Sequence, residues 1–220
     1  SGSTGGYRAW MARYPAQKIA VSLLCNTGDA DTVTLGRAVA DLYLPVKAEK
    51  PYAPRGPLPR GVWADRLTGF PYRVAADSKG GLTVNGAVLV PVGAGRWRQR
   101  ETVFAFAGDA LIRETREGER LPADRAAPPV SDLAAYAGRY CSVDNDACVT
   151  VTAEGARLTF SGPRWHGQPL EAAYRDVFTG DAKPVAPELV LKFQRDAAGR
   201  VDALRLGETR AFNMLFKRAE

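Results

Sequence analysis

Prolines divide this chain before any other feature does. Pro45, Pro51, Pro54, Pro57 and Pro59 fall in one stretch with almost no periodic apolar signal, and a second Pro/Ala/Asp stretch runs from Pro122 to Pro129. Proline fixes φ and removes a backbone donor, so both stretches read as extended linkers. They cut the chain into residues 1–44, 61–121 and 132–220, with linkers over 45–60 and 122–131. At 220 residues and 45% hydrophobic content, one or two real cores are within reach.

The first segment reads as strand, strand, helix. Tyr7 to Tyr14 is rich in aromatics, and Pro15-Ala16-Gln17-Lys18 makes a turn. Ile19 to Cys25 is nearly continuously apolar, the pattern of a central strand covered on both faces, with Cys25 expected as a buried free thiol. Asp29 or Asp31 can cap the helix that follows. Leu35, Val39 and Leu42 lie at i, i+4 and i+7 and are expected to dock it on the sheet. Two strands and a helix cannot bury these faces alone, so the segment reads as an incomplete domain of α/β character.

The segments 61–121 and 132–220 read as two all-β units related by a diverged repeat. Leu67–Tyr72 lines up with Tyr136–Tyr140, Gly81–Val84 with Arg157–Phe160, and Leu89–Val92 with Gln168–Leu170. Arg96–Arg98 stands opposite Asp176–Phe178, and Val103–Phe106 opposite Leu189–Phe193. Short alternating runs broken by Asn85-Gly86 and Ala198-Gly199 predict antiparallel hairpins closing into lipocalin-like barrels, with Phe104, Phe106, Leu191 and Phe193 in their cores.

The net charge of +6 is spread thinly: 8 basic against 4 acidic residues over 1–60, 10 against 8 over 61–130, and 12 against 12 over 131–220. No basic block or aromatic-studded stripe marks a nucleic-acid footprint. No apolar run approaches the roughly 20 residues of a membrane-spanning helix. His166 is the only histidine, so neither a histidine-based metal site nor a Ser-His pair can be assembled. Asp144-Asn145-Asp146 lacks the ligand ladder of a calcium loop and reads as a turn. No metal and no cofactor are expected.

Ser1-Gly2-Ser3-Thr4-Gly5-Gly6-Tyr7-Arg8-Ala9-Trp10, followed by Arg13-Tyr14-Pro15 and Val21 to Asn26, resembles the end of the catalytic domain of β-lactamase-related serine hydrolases, the class C β-lactamase, penicillin-binding-protein and D-aminopeptidase-like group. Leu133 to Tyr140, Arg195 to Val201 and Leu215 to Arg218 resemble the β-domain appended to many of them. The resemblance implies a Ser-x-x-Lys nucleophile, a Tyr-x-Asn/Ser element and a Lys/His-Thr/Ser-Gly strand acting through an acyl-enzyme. No Ser here is followed three residues later by Lys, and Tyr140-Cys141-Ser142 falls in the β-repeat. By the resemblance Ser1-Gly2-Ser3 is what remains of the third element, the backbone N–H of Ser3 is an oxyanion-hole donor, and Arg8 is a candidate for a substrate carboxylate. The chain then reads as the C-terminal part of an exported, periplasmic or extracellular hydrolase of D-amino-acid peptides, β-lactams or esters. Its substrate would be a small molecule or a peptidoglycan-type peptide. The other reading is a non-catalytic lipocalin-like module whose barrel holds a small apolar ligand.

Val143 to Ala147 reads as a hairpin turn that sets Cys141 opposite Cys148. Directly opposed Cβ atoms lie about 4.5–5.5 Å apart, near disulfide range. A disulfide and two unpaired small residues both remain open.

Overall fold

The computed structural model describes residues 1–44, 52–54, 56–163, 165–182, 186–208 and 211–219; it is mainly β, with one α-helix among them. By contacts the chain separates into two compact units, Ser1–Gly56 with Val90–Ala105 and Ile112–Arg120, and Pro57–Leu89 with Phe106–Leu111 and Leu121–Glu220. The linker expected over 45–60 falls partly outside the described residues. No helix among them is long and apolar enough to cross a membrane, which says nothing of strands.

In the first unit, β1 (Gly2–Thr4), β2 (Tyr7–Tyr14) and β3 (Ile19–Cys25) form an antiparallel sheet in that order. The expectation for Ile19–Cys25 is corrected here: among the described residues β3 is an edge strand and β2 the central one. Its apolar run covers only one face. Val21 is buried and Ile19, Leu23 and Cys25 half-buried, while Ala20, Ser22 and Leu24 are exposed.

Helix α1 (Thr32–Asp41) starts on Asp31, whose carboxylate accepts from Thr34 N at 3.1 Å and Thr34 Oγ1 at 2.7 Å. Those two bonds hold the Asp31 carboxyl below its usual range. The docking stripe is also corrected. Leu35, Val39 and Leu42 are 50%, 40% and 79% exposed, and the buried face is Thr32, Gly36 and Ala40. The reason is Trp10: a Cβ at position 36 would stand 2.1 Å from its ring. Only glycine lets the indole lie flat against the helix, and Ala12, Tyr14 and Val21 complete the small core. Arg37 pairs with Glu117 at 3.1 Å, and Arg116 pairs with Asp41.

Two closed antiparallel barrels follow, each of eight strands in sequence order. The first comprises β4 (Gly61–Asp65), β5 (Pro71–Ala76), β6 (Leu82–Val84), β7 (Ala87–Gly93), β8 (Arg96–Gln99), β9 (Thr102–Ala107), β10 (Ala110–Glu114) and β11 (Arg120–Arg125). Strand β11 runs past residue 121 into the stretch expected as linker. Pro122 has no N–H to pair, yet its carbonyl accepts from Arg66 N at 3.0 Å, so the proline does not end the strand. Asn85 and Gly86, both with positive φ, make the two-residue turn between β6 and β7. Asp65 is buried and organises the turn after β4, accepting from Leu67 N, Thr68 N and the Tyr72 hydroxyl at 2.9–3.0 Å.

The second barrel comprises β12 (Gly138–Ser142), β13 (Ala147–Glu154), β14 (Arg157–Gly162), β15 (Trp165–Tyr174), β16 (Val177–Ala182), β17 (Ala186–Arg195), β18 (Val201–Gly207) and β19 (Met214–Arg218). Strand β12 pairs with both β13 and β19, which removes every edge. Tyr136, Tyr140, Val151, Leu158, Phe160, Phe178, Leu189, Leu191, Phe193 and Leu204 fill the interior. An eight-stranded barrel is just wide enough for such filling. Each fully buried aliphatic or Phe side chain contributes about 1.5–3 kcal/mol.

Tyr136 plugs one end of this barrel. Its hydroxyl donates to Asp176 Oδ1 at 2.7 Å, Arg195 Nη2 reaches the same carboxylate at 2.8 Å, and the guanidinium lies 5.5 Å from the Tyr136 ring centre. Burial, reinforced by the Asp176 charge, pushes the Tyr136 phenol up to about 12. Within the second unit, Tyr174 donates to Gly69 O at 2.7 Å, Asn213 Nδ2 to Leu67 O at 2.7 Å, and Arg73 Nη2 to Thr179 Oγ1 at 2.9 Å.

Candidate functional site

The site-forming feature is the short hairpin at the start of the chain. Gly5 and Gly6 both take positive φ, 51° and 83°, a two-residue turn that glycine enters without steric cost. It sets Thr4 opposite Tyr7, Ser3 opposite Arg8 and Gly2 opposite Ala9. The pair flanking such a turn exchanges hydrogen bonds and the next pair does not. Gly2 and Thr4 therefore turn their N–H and C=O groups toward β2. Those of Ser3 point the other way, where among the described residues no strand pairs with β1.

Ser3 and Arg8 are a non-hydrogen-bonded pair, the position at which facing side chains come closest. Arg8 Nη1 donates to Ser3 Oγ, and Arg8 Nε donates to Gly28 O at 2.7 Å. The two bonds engage Nε and Nη1, and of the five N–H donors of a guanidinium those on Nη2 are left to face an anion. Cys25 stands opposite Arg8 on β3 as a half-buried free thiol. The expectation of a buried thiol is corrected: Cys25 is the last residue of β3, and among the described residues no strand pairs with β3 beyond it.

Gly2, Ser3, Thr4, Tyr7, Arg8, Ala9, Leu24, Cys25 and Asn26 line an open groove of about 520 Å³. That volume suits a small organic ligand or a short peptide segment. Of the expected site residues, Gly2, Ser3 and Arg8 come together here. Ser1 is exposed, precedes β1 and lies outside the lining. Sequence reasoning missed Thr4, Tyr7, Ala9, Leu24, Cys25 and Asn26. The signal was present in Gly5-Gly6, since a two-residue turn fixes the register of everything paired behind it.

Cys141 and Cys148 are joined by a disulfide across β12 and β13, where they are direct partners. Their neighbours Tyr140, Ser142 and Val149 are buried, so the bridge lies on the outer wall of the barrel, and neither cysteine lines the groove. His166 is exposed at the start of β15.

No family model matches the chain. No curated protein matches it either. Among solved structures the chain is similar to SurE determined with D-Leu, at 18% identity and a TM-score of 0.33, over 60% of this chain and 38% of that one. The chain thus spans well under half of SurE, and a likeness this slight carries no argument about fold or activity. The resemblance to β-lactamase-related serine hydrolases is accordingly corrected: no family model and no curated protein supports it, and SurE is among the solved structures the chain is similar to, at that low similarity. Short Gly, Tyr, Arg and Pro motifs mark turns and strand ends in many β-rich chains, so their order alone does not identify a family.

Proposed function

We propose that this chain contributes the oxyanion-binding wall of a serine acyl-transfer site that hydrolyses an amide or ester, such as a D-amino-acid peptide, a β-lactam or a simple ester. The observation that carries the reading is the Ser3 N–H, turned to an open strand edge beside a groove that also holds a preoriented arginine. A serine oxygen attacks the carbonyl carbon, and the carbonyl π electrons move onto oxygen as the new C–O bond forms. The Ser3 N–H donates to that oxyanion. Collapse of the intermediate expels the amine or alcohol, which takes up the serine's proton, and water then releases the acid and restores the serine. Arg8 receives a substrate carboxylate end-on, because Ser3 Oγ and Gly28 O already fix its plane.

No serine in the sequence has a lysine three residues on, so the attacking serine and its base come from a polypeptide segment other than these 220 residues. The Cys141–Cys148 disulfide supports a periplasmic or extracellular setting, where such a bond persists. The lipocalin-like alternative draws support from the up-and-down strand order of both barrels. Against it stands the second barrel's interior, filled by aromatic and aliphatic side chains where a lipocalin-like ligand would sit.

The test is hydrolysis of a nitrophenyl ester, a chromogenic cephalosporin and a D-amino-acid anilide by the protein expressed from its complete gene. Ser3→Pro deletes one outward N–H at an edge position where proline breaks no ladder bond. It should lower the rate by about 10²–10³-fold. Full activity in that variant, or serine-dependent turnover by residues 1–220 alone, would overturn the reading.

A further inference from the structure

We infer that Arg8 is a positioning residue: its guanidinium bridges the edge strand to the loop after β3 and thereby fixes where the Ser3 N–H points. The consequence for catalysis rests on the acyl-transfer reading, while the bridge itself does not. β1 is three residues long, exposed throughout, and held by one neighbouring strand. The Gly5-Gly6 turn sets its register, but a strand of that kind has no packing to stop it fraying. Arg8 supplies the missing restraint from β2. One nitrogen holds Ser3 Oγ, and another holds the carbonyl of Gly28 in the loop between β3 and α1. The same loop closes over the hairpin tip, where an added Cβ on Gly28 would lie 3.8 Å from Gly6 Cα. Three backbone segments therefore meet on one planar group. Lysine cannot replace it, because an ammonium is a single point donor on a flexible stem and cannot span two fixed acceptors in one plane.

The experiment is amide hydrogen exchange by NMR on the complete 220-residue chain, for the native sequence and for Arg8→Lys, Arg8→Ala and Ser3→Ala. The reporters are the ladder amides of Gly2 and Thr4, and the control is the buried second-barrel amide of Leu191. Arg8→Lys and Arg8→Ala should each speed exchange at Gly2 and Thr4 by about tenfold with Leu191 unchanged, the scale of one lost charge-assisted bond. Combining Arg8→Ala with Ser3→Ala should add little to Arg8→Ala alone, since both remove the same contact. If Lys restores native protection, the stem and not the guanidinium matters, and the proposal is wrong. Unchanged exchange in Arg8→Ala also overturns it. Hydrolysis by the complete-gene protein separates this inference from the functional one. Faster exchange with unaltered hydrolysis upholds the bridge and removes its catalytic meaning. Lost hydrolysis with native exchange assigns Arg8 to the substrate and rejects the bridge.

Discussion

The second barrel and the three-stranded sheet treat strand edges in opposite ways. In the barrel β19 returns to pair with β12, so every strand has two neighbours and the apolar side chains turn into one filled interior. Among the described residues the sheet has an open edge at β1 and another at β3. Its covered face rests on one helix through five buried residues, Trp10, Ala12, Tyr14, Val21 and Ala40. Met11 and Leu24 are 68% and 80% exposed on the other face. Closure gives stability and pairs every strand on both sides, whereas the open edge gives up stability and presents the Ser3 N–H. A site that needs a free backbone donor has to be built on the second kind of structure.

That contrast is broken most directly from the barrel side. Phe193 is 4% exposed, with its ring centre 4.8 Å from that of Tyr136 and 5.8 Å from those of Tyr140 and Phe178. Phe193→Ala should cost about 3–5 kcal/mol, read as a lower urea midpoint for the barrel amides, with exchange in β1–β3 unaltered. Next comes the disulfide. A bridge between residues seven apart in sequence restrains the unfolded chain by about 2.5 kcal/mol on the loop-entropy model. Cys141→Ser with Cys148→Ser should lower the melting temperature accordingly and leave groove residues untouched. A larger loss would mean that the bridge also holds native geometry.

The sheet side offers a smaller effect with a definite sign. Gly36→Ala adds a methyl group 2.1 Å from Trp10 Cε3 and 2.4 Å from Cζ3. Overpacking of that kind costs about 1–3 kcal/mol, against a gain of about 1 kcal/mol in helix propensity. The net should be mild destabilisation confined to α1 and β2, seen as faster exchange there and not in the barrels. Net stabilisation would show that the indole moves aside freely.

The same contrast explains what was legible in the sequence. Short alternating runs and Asn-Gly turns were enough to read the barrels, because a wall with one wet and one buried face writes itself as period two. Gly81–Val84 and Arg157–Phe160 do occupy the third strand of their barrels, and Val103–Phe106 and Leu189–Phe193 the sixth. The first match was one strand out of step: Phe70–Tyr72 leads into the second strand of its barrel, and Tyr136–Tyr140 into the first. Both segments carry a Gly shortly before an aromatic, Gly69 before Phe70 and Gly138 before Tyr140, so local texture could not separate them. The helix face was misread because apolar periodicity marks a stripe without saying whether it is covered. Gly36 decides the docking side by what it lacks, and only the position of Trp10 reveals that. Within the site, Ser3 and Arg8 were legible as residues, while the bond from Arg8 to Gly28 joins two loops whose approach no spacing encodes.

The smallest expected effect concerns pH and distinguishes the regions by their buried phenols. Tyr136 is pushed up to about 12, first by burial and then by its bond to the Asp176 carboxylate; Tyr174 reaches about 12 through burial and the Asp65 charge. In the sheet, Tyr14 is raised by burial and by Glu117. An acid with a raised folded pKa keeps its proton in the folded state after the unfolded chain has lost it. Its stabilising contribution is therefore whole below pH 10 and is lost as pH climbs from 10 toward 12. Asp176 works with the opposite sign. Burial alone would raise its carboxyl, but the bonds from Arg195 and Tyr136 outweigh that and hold it below 3.8, so its contribution is present above that pH and lost beneath it. Absorbance at 295 nm should show late-ionising phenols among the eight tyrosines, and Tyr136→Phe should remove one of them. That variant also takes a donor from Asp176, so its acid unfolding should begin at slightly higher pH while exchange in β1–β3 stays native. A single ionisation step near pH 10 in the folded protein would show that Tyr136 is open to water, and the barrel end would then be no better sealed than the sheet.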